Sequence, residues 1–246
     1  MSLLMLGAGR EGGASAPAFV PTDLPMLAGW WDASDSSYTT GNVTLATNGQ
    51  PVTQLRDKSG LNRHMTASTT PTFAAAAIKG KGVLQFNASA TIQTPNLFNY
   101  NIHHLFMVVK HLGADKDWAG SDNPNSGDIL FQADGSRKAK AHLWTSSGPQ
   151  SAVHGTTIND NDIVIIEQWV DATTINVALN GGTPVSTVLA GTKGGTTRPL
   201  VIGSIYANSG TRRFAGQVAE IVLCTGSLPD ATQRGNVITY LTNGWL

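Results

Sequence analysis

Any reaction centre in this chain would have to start from its carboxylates, and they are few. Among 246 residues there are three glutamates, Glu11, Glu167 and Glu220. Cleaving a glycosidic bond takes two carboxyl groups about 5–9 Å apart, one with a raised pKa. Glu167 and Asp171 are four residues apart and would share one face of an extended strand, but no third carboxylate joins them. Glu220 alternates with Val218, Val222 and Cys224, none of them acidic. No G-x-S-x-G elbow presents a serine nucleophile. The lone cysteine, Cys224, excludes an internal disulfide and sits in an apolar run, as a buried and inert thiol does. These residues predict a protein that is not an enzyme.

Metal and sugar chemistry come next. Asp115, Asp117, Asp122, Asn123, Asn125 and Asp128 crowd one segment, with Trp118 among them. Oxygen-rich loops suit Ca²⁺, which takes six to eight oxygen ligands. Asp115, Asp117, Asp122 and Asp128 are the calcium candidates, although the closing glutamate of an EF-hand is missing; no other cofactor is expected. Asp117, Trp118, Asp122 and Asn123 are also candidates for sugar contact. An aromatic face stacks on pyranose C–H groups and carboxylates accept hydroxyl hydrogens. The plainest reading is a solvated loop built for turns. His103 and His111 share parity on one strand but stand about 26 Å apart, and the neighbours His103 and His104 point to opposite faces. No zinc pair is expected, and His64, just after a turn, reads as a satisfied polar residue.

Near the N-terminus Gly7, Gly9 and Gly12 spell G-x-G-x-x-G. A dinucleotide site needs a helix opening at that loop to hold the pyrophosphate. Pro17, Pro21 and Pro25 follow instead, and proline both removes a donor and clashes with the preceding turn. Residues 1–24 therefore read as an extended arm whose apolar residues Leu3, Leu4, Met5, Leu6 and Phe19 would dock on a partner. The same stretch lacks the charged start and long apolar core of a signal peptide. The sequons Asn42-Val-Thr44 and Asn87-Ala-Ser89 then carry little weight.

Charged residues make up 13% of the chain, against about a quarter in typical domains. Formal net charge is zero, so no long-range field gathers nucleic acid or anionic membrane. No apolar run approaches the roughly 18 residues of a membrane span. From Pro25 onward Gly, Asn, Asp, Ser and Pro clusters punctuate short β-rich runs, which predicts an all-β fold. The clearest strands are Ala28–Trp31, Gln54–Asp57, Val83–Phe86, Leu105–Lys110, Ile129–Ala133, Ala141–Thr145, Asp162–Val170, Thr174–Leu179, Leu200–Ile205 and Gly216–Cys224. A hairpin is expected around Asp171-Ala172-Thr173. Gly216–Cys224 is apolar on both faces, as a strand inside a sandwich is. One helix closes the chain. Ser227 is its expected cap, Pro229 lies in the first turn, Val237, Ile238, Leu241 and Trp245 form the buried face, and Asn243-Gly244 is the stop.

Four ordered signatures carry a resemblance. They are Leu27-Ala28-Gly29-Trp30-Trp31-Asp32-Ala33-Ser34-Asp35, Gln54-Leu55-Arg56-Asp57-Lys58-Ser59-Gly60-Leu61-Asn62-Arg63-His64, Gly82-Val83-Leu84-Gln85-Phe86, and the terminal strand and helix. Together, over residues 27–246, they resemble laminin G-like domains of the concanavalin A-like lectin/glucanase superfamily. The resemblance implies a jelly-roll sandwich of two antiparallel sheets over residues 25–246. The superfamily's glucanases carry glutamate, aspartate and glutamate alternating on one strand, and this chain does not match that pattern. The glycine-rich start before W-x-D-A-S-D looks most like a phage virion component. The expected function is a non-enzymatic virion structural protein, a capsid decoration or tail component, held to other virion proteins by its arm. The alternative is a carbohydrate-binding receptor-recognition module of a phage tail or bacterial surface protein. A homo-oligomer and a host-surface glycan are the further partners expected, with no nucleic acid and no membrane insertion. In residue terms, Trp30 and Trp31 should point to opposite faces, one to the core and one to the sheet surface, and Asp57-Lys58-Ser59-Gly60 suits an Asx turn.

Overall fold

The computed structural model describes residues 18–39, 43–95, 98–112, 117–121, 129–133, 136–193, 197–203 and 214–246, with 117–121 and 129–133 described in backbone. Among these residues two antiparallel sheets face each other, and the C-terminal helix lies on the outer side of one of them. This is the expected all-β sandwich.

The helix-bearing sheet runs Val185–Val188, Thr174–Leu179, Ile163–Val170, His103–His111, Gly216–Thr225, Lys81–Phe86, Thr72–Ile78. One edge of Gly216–Thr225 is divided. Gly216–Val218 pairs with Leu84–Phe86, and Glu220–Cys224 pairs with Leu27–Asp32. The second sheet runs Gly148–Thr157, Lys138–Thr145, Ile129–Ala133, Asp117–Ser121, Leu200–Ile202, Thr91–Gln93, Met65–Thr69, Gln54–Leu55, Ser37–Tyr38.

Burial follows from what covers each face. Lys138–Thr145 alternates half-buried and buried, the pattern of a sheet with one wet side. Gly216–Thr225 is buried along nearly its whole length, because it has the second sheet on one side and the helix on the other. Against His103–His111 it carries one extra residue, Ala219. This bulge sends Val218, Ile221 and Leu223 into the core between the sheets, and Ala219, Val222 and Cys224 toward the helix.

The helix spans Ala231–Trp245 and buries Val237, Leu241 and Trp245, with Ile238 half-buried beside them. Both expected ends need correction. Asp230, not Ser227, is the cap: its carboxylate accepts from Gln233 N at 2.8 Å while Gln233 Oε1 accepts from Asp230 N at 3.0 Å. That reciprocal box satisfies two free backbone donors at once. Asn243-Gly244 does not end the helix, because Trp245 is held one residue further on in the core under it.

Trp31 is fully buried between the sheets, and Trp30 points the other way, as expected. Trp30 is nevertheless covered, with Tyr240 of the helix packed edge-on at 6.2 Å. The last residues read as arm belong to the domain: Leu24 is buried under the helix and Phe19 packs edge-on against Tyr240 at 6.3 Å. Leu3, Leu4, Met5 and Leu6 lie outside the described residues, as do Gly7, Gly9 and Gly12.

Candidate functional site

Glu167 and Glu220, the only glutamates that could have served catalysis within the sandwich, both hold the helix to its sheet. Glu167 is fully buried and takes a two-pronged grip from Arg234, whose Nε donates to Oε2 at 2.6 Å and whose Nη2 donates to Oε1 at 2.9 Å. His104 Nε2 stands 3.5 Å from Glu167 Oε2, its ring stacked between Phe106 and Trp169. Burial pushes the Glu167 carboxyl up, but the contacts of His104 and Arg234 outweigh it and hold the group below its ordinary value. Asp171, expected to share a strand face with Glu167, lies beyond the strand end. Its oxygens accept from the backbone and hydroxyls of Thr173 and Thr174, which closes the expected hairpin turn.

Glu220 accepts from two indoles, Trp30 Nε1 at 2.6 Å on one oxygen and Trp245 Nε1 on the other. Its pKa is raised by burial and by the nearby Asp32, against the pull of the indoles and of Tyr240. A raised carboxyl is what a general acid needs. Here it is 2% exposed and sealed by Trp30, Tyr240 and Trp245, so no substrate reaches it. Asp32 faces it across the ladder, an acidic neighbour that spacing along one strand does not reveal. The bulge also moves Val218 off the Glu220 face.

His103, His64 and the signature motifs are equally structural. Burial drives His103 down to about 3, and its Nδ1 lies 2.8 Å from Tyr100 O. His64 Nδ1 accepts from Asp57 N at 3.0 Å. Asp57 accepts from Ser59 N at 2.9 Å, the expected Asx turn, and also from Trp30 N at 3.1 Å. Arg63 Nη1 donates to Ala28 O at 2.6 Å, and Trp31 Nε1 donates to Arg63 O at 3.0 Å. The W-W-D and D-K-S-G signatures thus interlock, one finishing the hydrogen bonds of the other. Lys58 adds ion pairs to Asp32 at 3.2 Å and Asp35 at 2.7 Å.

The acidic segment is not all loop. Asp117 and Trp118 fall in the strand Asp117–Ser121, paired with Ile129–Ala133 and Leu200–Ile202, and the ladder slips at Trp118. Asp115, Asp122, Asn123, Asn125 and Asp128 lie outside the described residues. Among the described residues no three His, Cys, Asp or Glu side chains are grouped to hold a metal ion.

Another patch escaped the sequence reading. On the wet face of the second sheet Lys140, His142 and Trp144 alternate with buried Ala139, Ala141 and Leu143. Across the ladder they meet Val153, Ser151 and Pro149. His142 Nδ1 lies 2.8 Å from Ser151 Oγ, and the His142 and Trp144 rings meet edge-on at 6.0 Å. Asp117 lies opposite Gln132, which lies opposite Lys140, so one of the expected sugar candidates occupies a register position on this same face. The sequence signal was the alternation K-A-K-A-H-L-W, whose polar members end in a tryptophan. Chemically the row offers a half-buried indole beside an imidazole, a hydroxyl and an ammonium.

No family model matches this chain, and no curated protein does. Solved structures do. Domain 4 of AbnA, a GH43 extracellular arabinanase from Geobacillus stearothermophilus, solved with arabinotriose, is 18% identical with a TM-score of 0.60, over 85% of this chain and 97% of that one. The binding domain of Paraclostridial Mosquitocidal Protein 1 is 13% identical with a TM-score of 0.65, over 90% of this chain and 53% of that one. The receptor-binding domain of botulinum neurotoxin mosaic serotype C/D is 11% identical with a TM-score of 0.61, over 91% and 52%. The likeness is one of fold. This chain spans about half the length of the mosquitocidal-protein and botulinum-neurotoxin domains.

Proposed function

We propose that this protein is a non-catalytic, glycan-binding display module, fastened to a larger assembly through residues N-terminal to its sandwich. The observation that carries this reading is the opposed placement of its two ends of action. The chain enters the domain on the helix-bearing side, where Phe19 and Leu24 dock. The Lys140–His142–Trp144 row faces away from it, on the wet side of the other sheet. Trp144 supplies the apolar face for pyranose C–H groups, and Lys140 and the His142–Ser151 pair supply partners for hydroxyls. The structural likeness to a domain solved with arabinotriose and to two toxin binding domains supports binding over catalysis. So does the use of Glu167 and Glu220 as helix anchors.

The larger assembly in this reading is a virion, with the protein as a decoration or tail component. Leu3, Leu4, Met5 and Leu6 are its contacts there, and a host-surface glycan is its ligand. The glycine-rich start before W-W-D-A-S-D, which resembles that of phage virion components, supports it. A glycan array probed with multimerised protein tests the binding claim. Wild type should give discrete hits, and Trp144→Ala should weaken them about tenfold or more with an unchanged melting temperature. An empty wild-type array, or full binding by Trp144→Ala, rejects the row as the site. Hydrolysis of an offered polysaccharide rejects the non-catalytic reading.

A further inference from the structure

Just past Trp144 the row reaches the end of the sandwich. Thr145 bridges Lys193 across the chain, and its hydroxyl donates to Ala190 O at 2.5 Å. Beyond that tie opens a groove of about 540 Å³, lined by Asn101, Ile102, Thr173, Val188, Leu189 and Lys193 among others. Its apolar wall includes Val188, which lies on an edge strand and is 74% exposed.

Lys193 is the polar centre of the groove. Its ammonium donates to Asn101 O at 2.6 Å and to Asp171 O, both neutral acceptors. An ammonium has three protons, and the third has no acceptor among the described residues. Two fixed bonds hold that remaining donor in place, so little rotamer freedom is lost when it finds a ligand. Burial lowers the Lys193 pKa while the negative charge of Asp171 opposes the shift. The Asp171 oxygens are already engaged by Thr173 and Thr174. The groove therefore joins an oriented donor, a locally balanced charge and an apolar wall.

We infer that this groove is a subsite for a terminal residue of a neutral glycan, with the third Lys193 N–H on a ring hydroxyl and Ile102, Val188 and Leu189 against the C–H face. Asn101 and Thr173 flank it with polar groups. Asp171 beside the ammonium disfavours a carboxylate or sulfate in the same place. The inference rests on the glycan-binding reading and lengthens the Trp144 row into a two-point site.

The full chain is titrated calorimetrically with neutral oligosaccharides and, separately, with uronic-acid-containing ones. Ala172→Trp and Val188→Asp alter exposed positions at the groove, so both variants should melt as wild type does. Lys193→Met removes the donor itself. Neutral ligand should bind wild type and weaken about tenfold or more in each groove variant. If wild type binds neutral ligand and both surface variants bind it equally well, the groove is rejected and the Trp144 row stands. A preference for the acidic ligands rejects the neutral class. Absence of binding to either set by wild type rejects the groove and the glycan reading together. Should Lys193→Met unfold, the two surface variants decide.

Discussion

Glu167 and Glu220 sit on the same sheet under the same helix, yet their surroundings push them in opposite directions. Glu167 meets a guanidinium and an imidazole, and its charged form is favoured over the unfolded chain. The stability it contributes is complete above the ordinary glutamate value of about 4.3 and is lost as pH falls through its lower folded value. Glu220 meets indoles, a phenol and Asp32, and its neutral form is favoured. Its contribution is complete below the ordinary value and is lost as pH rises through its higher folded value. Thermal melts from pH 4 to 7 should therefore show Glu220→Gln gaining on wild type as pH rises; a constant or widening deficit would contradict the assignment. Arg234→Leu should cost about 3 kcal/mol in urea unfolding at pH 7, because it strands a fully buried charge. Adding Glu167→Leu should recover part of that loss, and strictly additive losses would show the pair to be uncoupled. None of this was legible from spacing along the chain. Asp32, Trp30 and Trp245 reach Glu220 across a ladder and from a helix, while sequence spacing sees only neighbours on one strand. What composition did show was the scarcity of glutamates, and the two in the sandwich are both buried under the helix.

At the scale of elements, the terminal helix is marginal by composition and fixed by what lies beneath it. Gly235 faces open space, with no neighbouring atom within 4 Å of where a Cβ would stand. Gly235→Ala should stabilise the protein by up to about 1 kcal/mol, read as a higher urea midpoint with an unchanged slope. Gly181 is the contrasting case. It follows Asn180 in the turn after Thr174–Leu179, both with positive φ, and a Cβ there would lie 2.6 Å from Ile238 Cγ2. Gly181→Val should raise the helix off its sheet and lower the melting temperature, and a neutral effect would mean that the helix does not pack there as closely as described. The helix was legible because its apolar face recurs at helical spacing. Its ends were not, since a cap is decided by reciprocal bonds such as Asp230 with Gln233. Several strands escaped for a related reason. Thr72–Ile78 holds four consecutive alanines, with no alternation to read, and its ladder is broken with Ala76 at positive φ. Gly148–Thr157 is an edge strand and mostly polar, so it reads as loop.

For the whole molecule, the proposed function assigns attachment and recognition to opposite sides, so the two should be separable. Removing residues 1–17, which spares Phe19 and Leu24, should leave the melting temperature and glycan retention intact while abolishing association with particles; particles that still take up the shortened chain would end the anchor reading. The layout also has a price in time. Gly216–Thr225 is flanked by His103–His111 on one side and by Leu27–Asp32 and Lys81–Phe86 on the other, all encoded far upstream. A nascent chain therefore carries the neighbours of this strand exposed until residues 216–225 leave the ribosome. Long-range closure of that kind slows folding and leaves unpaired edges open to other chains meanwhile. Synthesis rate and chaperone supply, more than final stability, should set how much of this protein reaches its native form.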